Sequence, residues 1–184
     1  LWVIAGLGNP GRRYSGTRHN IGFDVIDAIS ERLSLVLSDK GRYIMGEGLY
    51  GDEELILVKP LTYMNLSGAA VGEVLRMRNA PPERLIVVHD DLDLPVGRVK
   101  IKERGSSGGH RGVQSIIESI GTNEFIRVRI GIGREPGVPS EVYVLKKFRP
   151  GERAAMDEAV EVASDAVLCI IENGVNRAMT EYNR

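Results

Sequence analysis

The amino-acid sequence predicts an α/β fold: a single domain with a twisted, mixed (partly parallel) sheet flanked by helices. Short apolar runs of strand character alternate with stretches of helical periodicity along the whole chain, a pattern that favours strands covered by helices. The 184 residues, 42% apolar and 27% charged, have the size and balance of one globular unit, so residues 1–184 are expected to form one domain. No internal repeat or linker divides them.

The elements follow in chain order. Residues 1–6 read as a buried strand that opens onto the loop GNPGRRYSGTRHN. Ile21, Val25, Ile29 and Leu33 stand four apart, which predicts a helix over 21–33. Residues 43–50 and 54–59 form a strand pair joined at Gly51-Asp52, and Pro60 ends the second. Ala69, Ala70, Val74 and Leu75 make a packing stripe over a helix at 66–78. The run LIVVHDD is a short apolar strand ending in acids, and residues 98–102 alternate in strand fashion. A glycine-rich loop, GSSGGHRG, leads to a helix at 112–119. In IRVRIGIG, Arg127 and Arg129 face away from Ile126, Val128 and Ile130, and residues 151–173 make an amphipathic helix with an acidic outer face.

Composition excludes several classes. No run approaches the roughly 20 apolar residues that a membrane span requires. The chain opens on LWVIAGLG rather than on a basic, then apolar, leader, so a cytoplasmic protein without membrane partners is expected. The lone Cys169, within AVLCII, has no partner for an internal disulfide and no metal spacing, and reads as a small core residue. The net charge of −1 hides a polarity. Residues 98–134 carry eight basic side chains against three acids, whereas 151–173 carry six acids against Arg153. Such a division either is ordinary solvated charge or lets one face attract a polyanion.

Polar clusters follow the strands: Asn9 with His19-Asn20, the Asp90-Asp91-Asp93 group, and His110, while Asn65 opens a helix after a fourth strand. Open α/β sheets bind ligands beyond the carboxyl ends of their strands, so these loops can build one site. Histidine is the natural general base near neutral pH, and a carboxylate such as Asp90 at a strand end can fix its tautomer. Each residue also has a purely structural explanation. His19 or His110 can be a hydrogen-bonded structural histidine, Asn9 can start a turn, and Asn65 or Ser67 can cap a helix.

Three other motifs compete. Gly6-x-Gly8-x-x-Gly11 matches the dinucleotide fingerprint, but that fingerprint must open a helix and RRYSGTRHN reads as loop. Gly105-x-Ser107-x-Gly109 matches a nucleophile elbow, yet the only later histidine is His110, three residues on. His89, Asp90, Asp91, Asp93 and His110 carry metal-ligand chemistry, but strand alternation turns His89 from Asp90 and no paired histidine spacing suggests zinc.

The blocks GLGNPG (6–11), YSGTRHNIG (14–22), KPLTYMNLSG (59–68), HDDLDLPVG (89–97), GSSGGHRG (105–112) and RVRIGIGR (127–134) resemble those of the bacterial-type peptidyl-tRNA hydrolases over essentially the whole chain. The resemblance implies hydrolysis of the ester between a peptide and the 3′ ribose of tRNA. It makes His19 the base that activates water and Asp90 the acid that orients it. It assigns Asn9 to discrimination of N-blocked substrates and Asn65 to a substrate and water contact near the developing oxyanion. Tyr14, Tyr63, Met64 and His110 fall at substrate-lining positions, and Lys100, Lys102 and Arg129 where the family grips tRNA phosphates. The implied partner is peptidyl-tRNA, through its acceptor stem and 3′ end, with no cofactor or metal and a monomeric enzyme. One departure stands out: the family usually has Asn after the loop histidine, and here Arg111 either pairs with the terminal phosphate or lies on the loop surface. The alternative function is a non-catalytic RNA-binding protein on the same fold.

Overall fold

In the computed structural model, which covers residues 1–184, β1 (Trp2–Gly6) runs through the middle of a seven-stranded sheet. The elements that follow are α1 (Ile21–Arg32), β2 (Ser38–Asp39), β3 (Tyr43–Tyr50), β4 (Glu53–Pro60), α2 (Ser67–Arg78), β5 (Leu85–Asp91), β6 (Val99–Lys102), α3 (Arg111–Ile120), β7 (Ile126–Gly131), α4 (Ser140–Tyr143), α5 (Pro150–Asn173) and α6 (Val175–Tyr182). The strand order is β2-β3-β4-β1-β5-β7-β6. The central four strands are parallel, and the flanking pairings β2–β3, β3–β4 and β6–β7 are antiparallel, so the expected mixed sheet is present.

The apolar runs read as continuous because both sheet faces are covered. Trp2, Ile4, Leu55, Leu57, Ile86, Val88, Val128 and Ile130 pack under α1 and α5. Val3, Ala5, Ile56, Val58, Leu85 and Val87 pack under α2 and α3. Each fully buried Ile, Leu or Val contributes about 1.5–3 kcal/mol of transfer free energy. Cys169 is buried and free, as its surroundings predicted.

The stripe on α2 differs in one residue: Val71 is buried with Ala70, Val74 and Leu75, whereas Ala69 is half-buried. The helices end where a left-handed residue is tolerated, at Asn79 after α2 and Gly121 after α3. The short β2 and α4 carry no periodic signal that would predict them, whereas α6 beyond Gly174 was missed although Val175, Ala178, Met179 and Tyr182 stand at i, i+3, i+4 and i+7 and pack on the core. No helix is long and apolar enough to cross a membrane.

This topology makes a crevice. The loop after β1 leads to α1 on one face, while the chain after β5 reaches α3 on the other, so their carboxyl ends part. Glycines let α1 start directly on the sheet: a Cβ at Gly22 would lie 2.5 Å from Leu7 N and Val88 O, and one at Gly6 would lie 2.1 Å from Gly22 O. That close approach sets His19, two residues before α1, beside the end of β5.

Candidate active site

Asp90 ends the apolar run of β5 and is 2% exposed. Its carboxylate accepts from two imidazoles: His19 Nδ1 lies 2.8 Å from Oδ2 and 3.0 Å from Oδ1, and His110 Nε2 lies 2.8 Å from Oδ1. Burial works against ionisation of Asp90. His19 and His110, as neighbouring charges and hydrogen-bond donors, outweigh it and hold the carboxyl well below its usual range. Asp90 is therefore an acceptor throughout the neutral range, and each ring nitrogen facing it carries its proton.

His110 is locked from both sides. It is the N-cap of α3, where its Nδ1 accepts from the backbone N–H of Gly112 (3.1 Å) and Val113 (3.3 Å). Backbone N–H groups only donate, so Nδ1 holds a lone pair and Nε2 the proton given to Asp90. His19 donates through Nδ1, which leaves Nε2 as a lone pair in the cavity that His19 lines. Of the two, only His19 has a nitrogen free to take a proton.

The cavity is about 740 Å³. Asn9, His19, Tyr63, Met64, Asn65, Asp90, Lys102, His110, Arg111 and Arg129 all line it. Tyr14 does not, but its ring stands edge-on to that of Tyr63 at 6.4 Å. Lys100 lies one β-step beyond Lys102, opposite Arg129 in the β6–β7 register. The site residues expected from sequence thus supply ten of the 24 residues of the wall.

The Asn9 carboxamide is oriented by the fold. Its Oδ1 accepts from Met64 N at 2.7 Å, so the Nδ2 donors are the groups left for the cavity. Asn20 holds the Asn9 backbone from behind, accepting from Asn9 N at 2.8 Å and donating to Asn9 O at 2.9 Å. Asn65 is exposed at the rim and does not cap α2, whose N-cap is Leu66; nor does Ser67, whose hydroxyl donates to Met64 O. Tyr63 has φ 63° and ψ 155°, a conformation costing a non-glycine residue about 1–3 kcal/mol, and the residue is 54% exposed.

Three features lay beyond sequence reasoning. His89 leaves β5 on the face opposite Asp90, as alternation predicts, yet it is not remote from the site. It lines the cavity, and its ring packs 4.7 Å from that of His110. Its Nδ1 donates to Asp90 O at 2.7 Å, and burial, reinforced by His110, pushes its pKa down to about 3, so the ring is neutral. Arg127 is buried and donates to Gly105 O, Ser106 O and Asn123 O, pinning the loop that carries His110. Burial and the nearby Arg129 push its pKa down to about 10, which leaves it charged at neutral pH. Arg18, also buried, pairs with Glu152 and donates to Lys146 O and Lys147 O, fastening the His19 loop to the segment bearing Val144 and Leu145 of the cavity wall. Alternation tells which face a side chain takes, but not what covers it.

The competing motifs find no support in the geometry. Residues after Gly11 form turns before α1, not the helix that a dinucleotide fingerprint opens. The metal-ligand set weighed from sequence does not converge. The ligand-type atoms that do, within 4.8 Å of one another, belong to His19, Asp90 and His110. Both histidines already direct N–H donors at Asp90, so an ion there would have to displace two hydrogen bonds.

Comparison with known proteins agrees with this geometry. Residues 3–184 match the family model described as peptidyl-tRNA hydrolase. The chain is 49% identical over 185 residues to the peptidyl-tRNA hydrolase of Thermodesulfovibrio yellowstonii, covering 99% of this chain and 98% of that one. It is 48% identical to that of Caldanaerobacter subterraneus subsp. tengcongensis, over 100% of both. Among solved structures it is similar to the Acinetobacter baumannii peptidyl-tRNA hydrolase, with a TM-score of 0.92, 36% identity, and coverage of 100% of this chain and 94% of that one.

Proposed function

The chain belongs to the peptidyl-tRNA hydrolase family, and from that premise we propose how its cavity hydrolyses the ester of peptidyl-tRNA. The observation that carries the reading is the contact of His19 Nδ1 with the Asp90 carboxylate at 2.8 Å, which leaves the other nitrogen of this cavity-lining ring free to take a proton. Nε2 takes a proton from water as the water oxygen bonds to the ester carbonyl carbon. The carbonyl electrons move onto its oxygen, for which Asn65 at the rim, and the free donors of Asn9, supply hydrogen bonds. On collapse the ribose oxygen leaves with the proton held by His19. Free peptide acid and tRNA with an intact 3′ end are released, and the tRNA returns to translation. Asp90 stabilises the imidazolium formed between these steps without itself becoming protonated.

The remaining residues bind. Tyr14, Tyr63 and Met64 line the route for the substrate's 3′ end, with Asn9 reading the N-blocked peptide. Lys100, Lys102 and Arg129 receive acceptor-stem phosphates; Arg129 is tied to Asp91 at 3.2 Å and Lys102 stands on the cavity wall. Arg111 is exposed, lines the cavity and has no ion-pair partner; it begins α3, where a cation opposes the helix dipole. An anion there would relieve that conflict, which supports pairing with the terminal phosphate. Residues from Asn9 to Leu145 line one cavity over one sheet, which supports a single catalytic domain, and a monomer is the proposed state. The setting proposed is the cytoplasm, where translation produces the substrate.

The test is His19→Ala on N-acetyl-aminoacyl-tRNA, with turnover and tRNA affinity measured separately. Loss of turnover by about 10²- to 10⁴-fold at nearly unchanged affinity is expected. Undiminished turnover would remove His19 from the mechanism, and absent turnover in the wild type with retained affinity would favour the non-catalytic RNA-binding reading.

A further inference from the structure

β6 is the last strand of the sheet and only four residues long. It pairs with β7 so that Lys100 stands opposite Arg129 and Lys102 opposite Arg127. Like charges directly opposite each other across a strand pair are destabilising, and although Asp91 offsets part of this at Arg129, these two pairs do not help to hold β6 to β7. The outer edge of a terminal strand also leaves backbone N–H and C=O groups without a ladder partner. A short edge strand with two repulsive cross-strand pairs is a poor platform for presenting cations at fixed positions.

The segment after α6 supplies what the edge lacks. Asn183 Oδ1 accepts from Ile101 N at 2.7 Å, and Asn183 Nδ2 donates to Ile101 O at 2.8 Å. One carboxamide thus satisfies both backbone groups of a residue, as the backbone of an eighth strand would. Asn20 does the same to Asn9 beneath the catalytic loop. Asn183 is itself held: its N–H donates to Met179 O, and Ala178 of α6 is buried in the core. Ile101 lies between the two lysines with its own side chain in the core, 2% exposed. Clamping its backbone therefore sets the direction of both neighbours.

We propose that Asn183 is a positioning residue for substrate binding: by closing the β6 edge it holds Lys100 and Lys102 in the phosphate-binding arrangement before tRNA arrives. Such pre-organisation removes an ordering cost from binding and does not touch the chemical step. The inference rests on the reading that these lysines receive tRNA phosphates, and the experiment separates the two.

Kinetics are measured for wild type, Asn183→Ala, Lys100→Ala/Lys102→Ala and the triple combination, each on N-acetyl-aminoacyl-tRNA and on N-acetyl-aminoacyl-adenosine, an ester without the tRNA body. Asn183→Ala is expected to raise KM for the tRNA substrate roughly fivefold, which is about 1 kcal/mol, the order of a lost hydrogen-bond pair at a surface edge. Its activity on the adenosine ester stays at the wild-type level, which also reports an intact fold. In the double-lysine background Asn183→Ala has no further effect on KM. An unchanged KM, an equal loss on the short ester, or an undiminished effect in the double-lysine background would each overturn the proposal. If the lysine changes alone leave KM for tRNA unaltered, the phosphate reading fails first and takes the proposal with it.

Discussion

Asp90 accepts from two imidazoles at once, and that double contact decides what each histidine does. His110 gives its Nε2 proton to Asp90 and spends its Nδ1 lone pair on α3, which makes it a brace. His19 gives its Nδ1 proton and keeps Nε2 free, the nitrogen proposed to act on water. Replacing Asp90 with Asn offers one oxygen and one amide group where two acceptor oxygens stood, so the two ring N–H groups must share one acceptor or one of them loses its partner. Asp90→Asn is therefore expected to lower kcat by about 10²- to 10⁴-fold. An undiminished kcat in this variant would show that Asp90 does not act on the base.

At the scale of elements, β5 carries a second consequence. His89 is buried and neutral, with its pKa pushed down to about 3 by that burial. In the unfolded chain it takes up a proton below about pH 6.5. The unfolded state then binds more protons, so this contribution to stability is complete above about pH 6.5 and is lost as pH falls, at about 1.4 kcal/mol per unit. Asp24 acts in the opposite sense, since burial and Asp27 raise it to about 6. Its stabilising effect is present below its usual range and is lost as pH rises toward 6. The two overlap, so His89 is best read by difference: between pH 6 and 4, His89→Gln should lose about 1.4 kcal/mol less per pH unit than wild type in urea unfolding. Parallel stability curves would show that His89 titrates freely in the folded protein. Most strands and helices were legible because their periodicity is set by burial on both sheet faces; Asn9, His19, Asp90 and His110 stood out as polar residues after strands, but each also had a structural explanation and took its role from the resemblance of the motif blocks. The neutral His89, the loop-pinning Arg127 and the edge-closing Asn183 were not legible, since each depends on a partner distant in sequence. The Tyr63 backbone left no local signal, because tertiary contacts hold a conformation its residue type disfavours.

Across the whole molecule the charge polarity read from composition becomes a polarity through the sheet. Lys100, Lys102, Arg127 and Arg129 project from the β6–β7 ladder on the face opposite Ile101, Val128 and Ile130, whereas the acids of α5 belong to the layer that covers those apolar residues. The cavity opens beside the basic ladder, with Lys102 and Arg129 in its wall, so a polyanion drawn to that ladder brings its ester toward His19. This arrangement joins the chemistry of one imidazole to the recognition of one RNA, and both are tested together by the rate of peptide release from purified N-acetyl-aminoacyl-tRNA, measured beside release of the amino acid from the same tRNA with its amino group unblocked. Rapid hydrolysis of the blocked substrate and slow hydrolysis of the unblocked one is the predicted result. Equal rates on both, or release no faster than in buffer, would contradict the account.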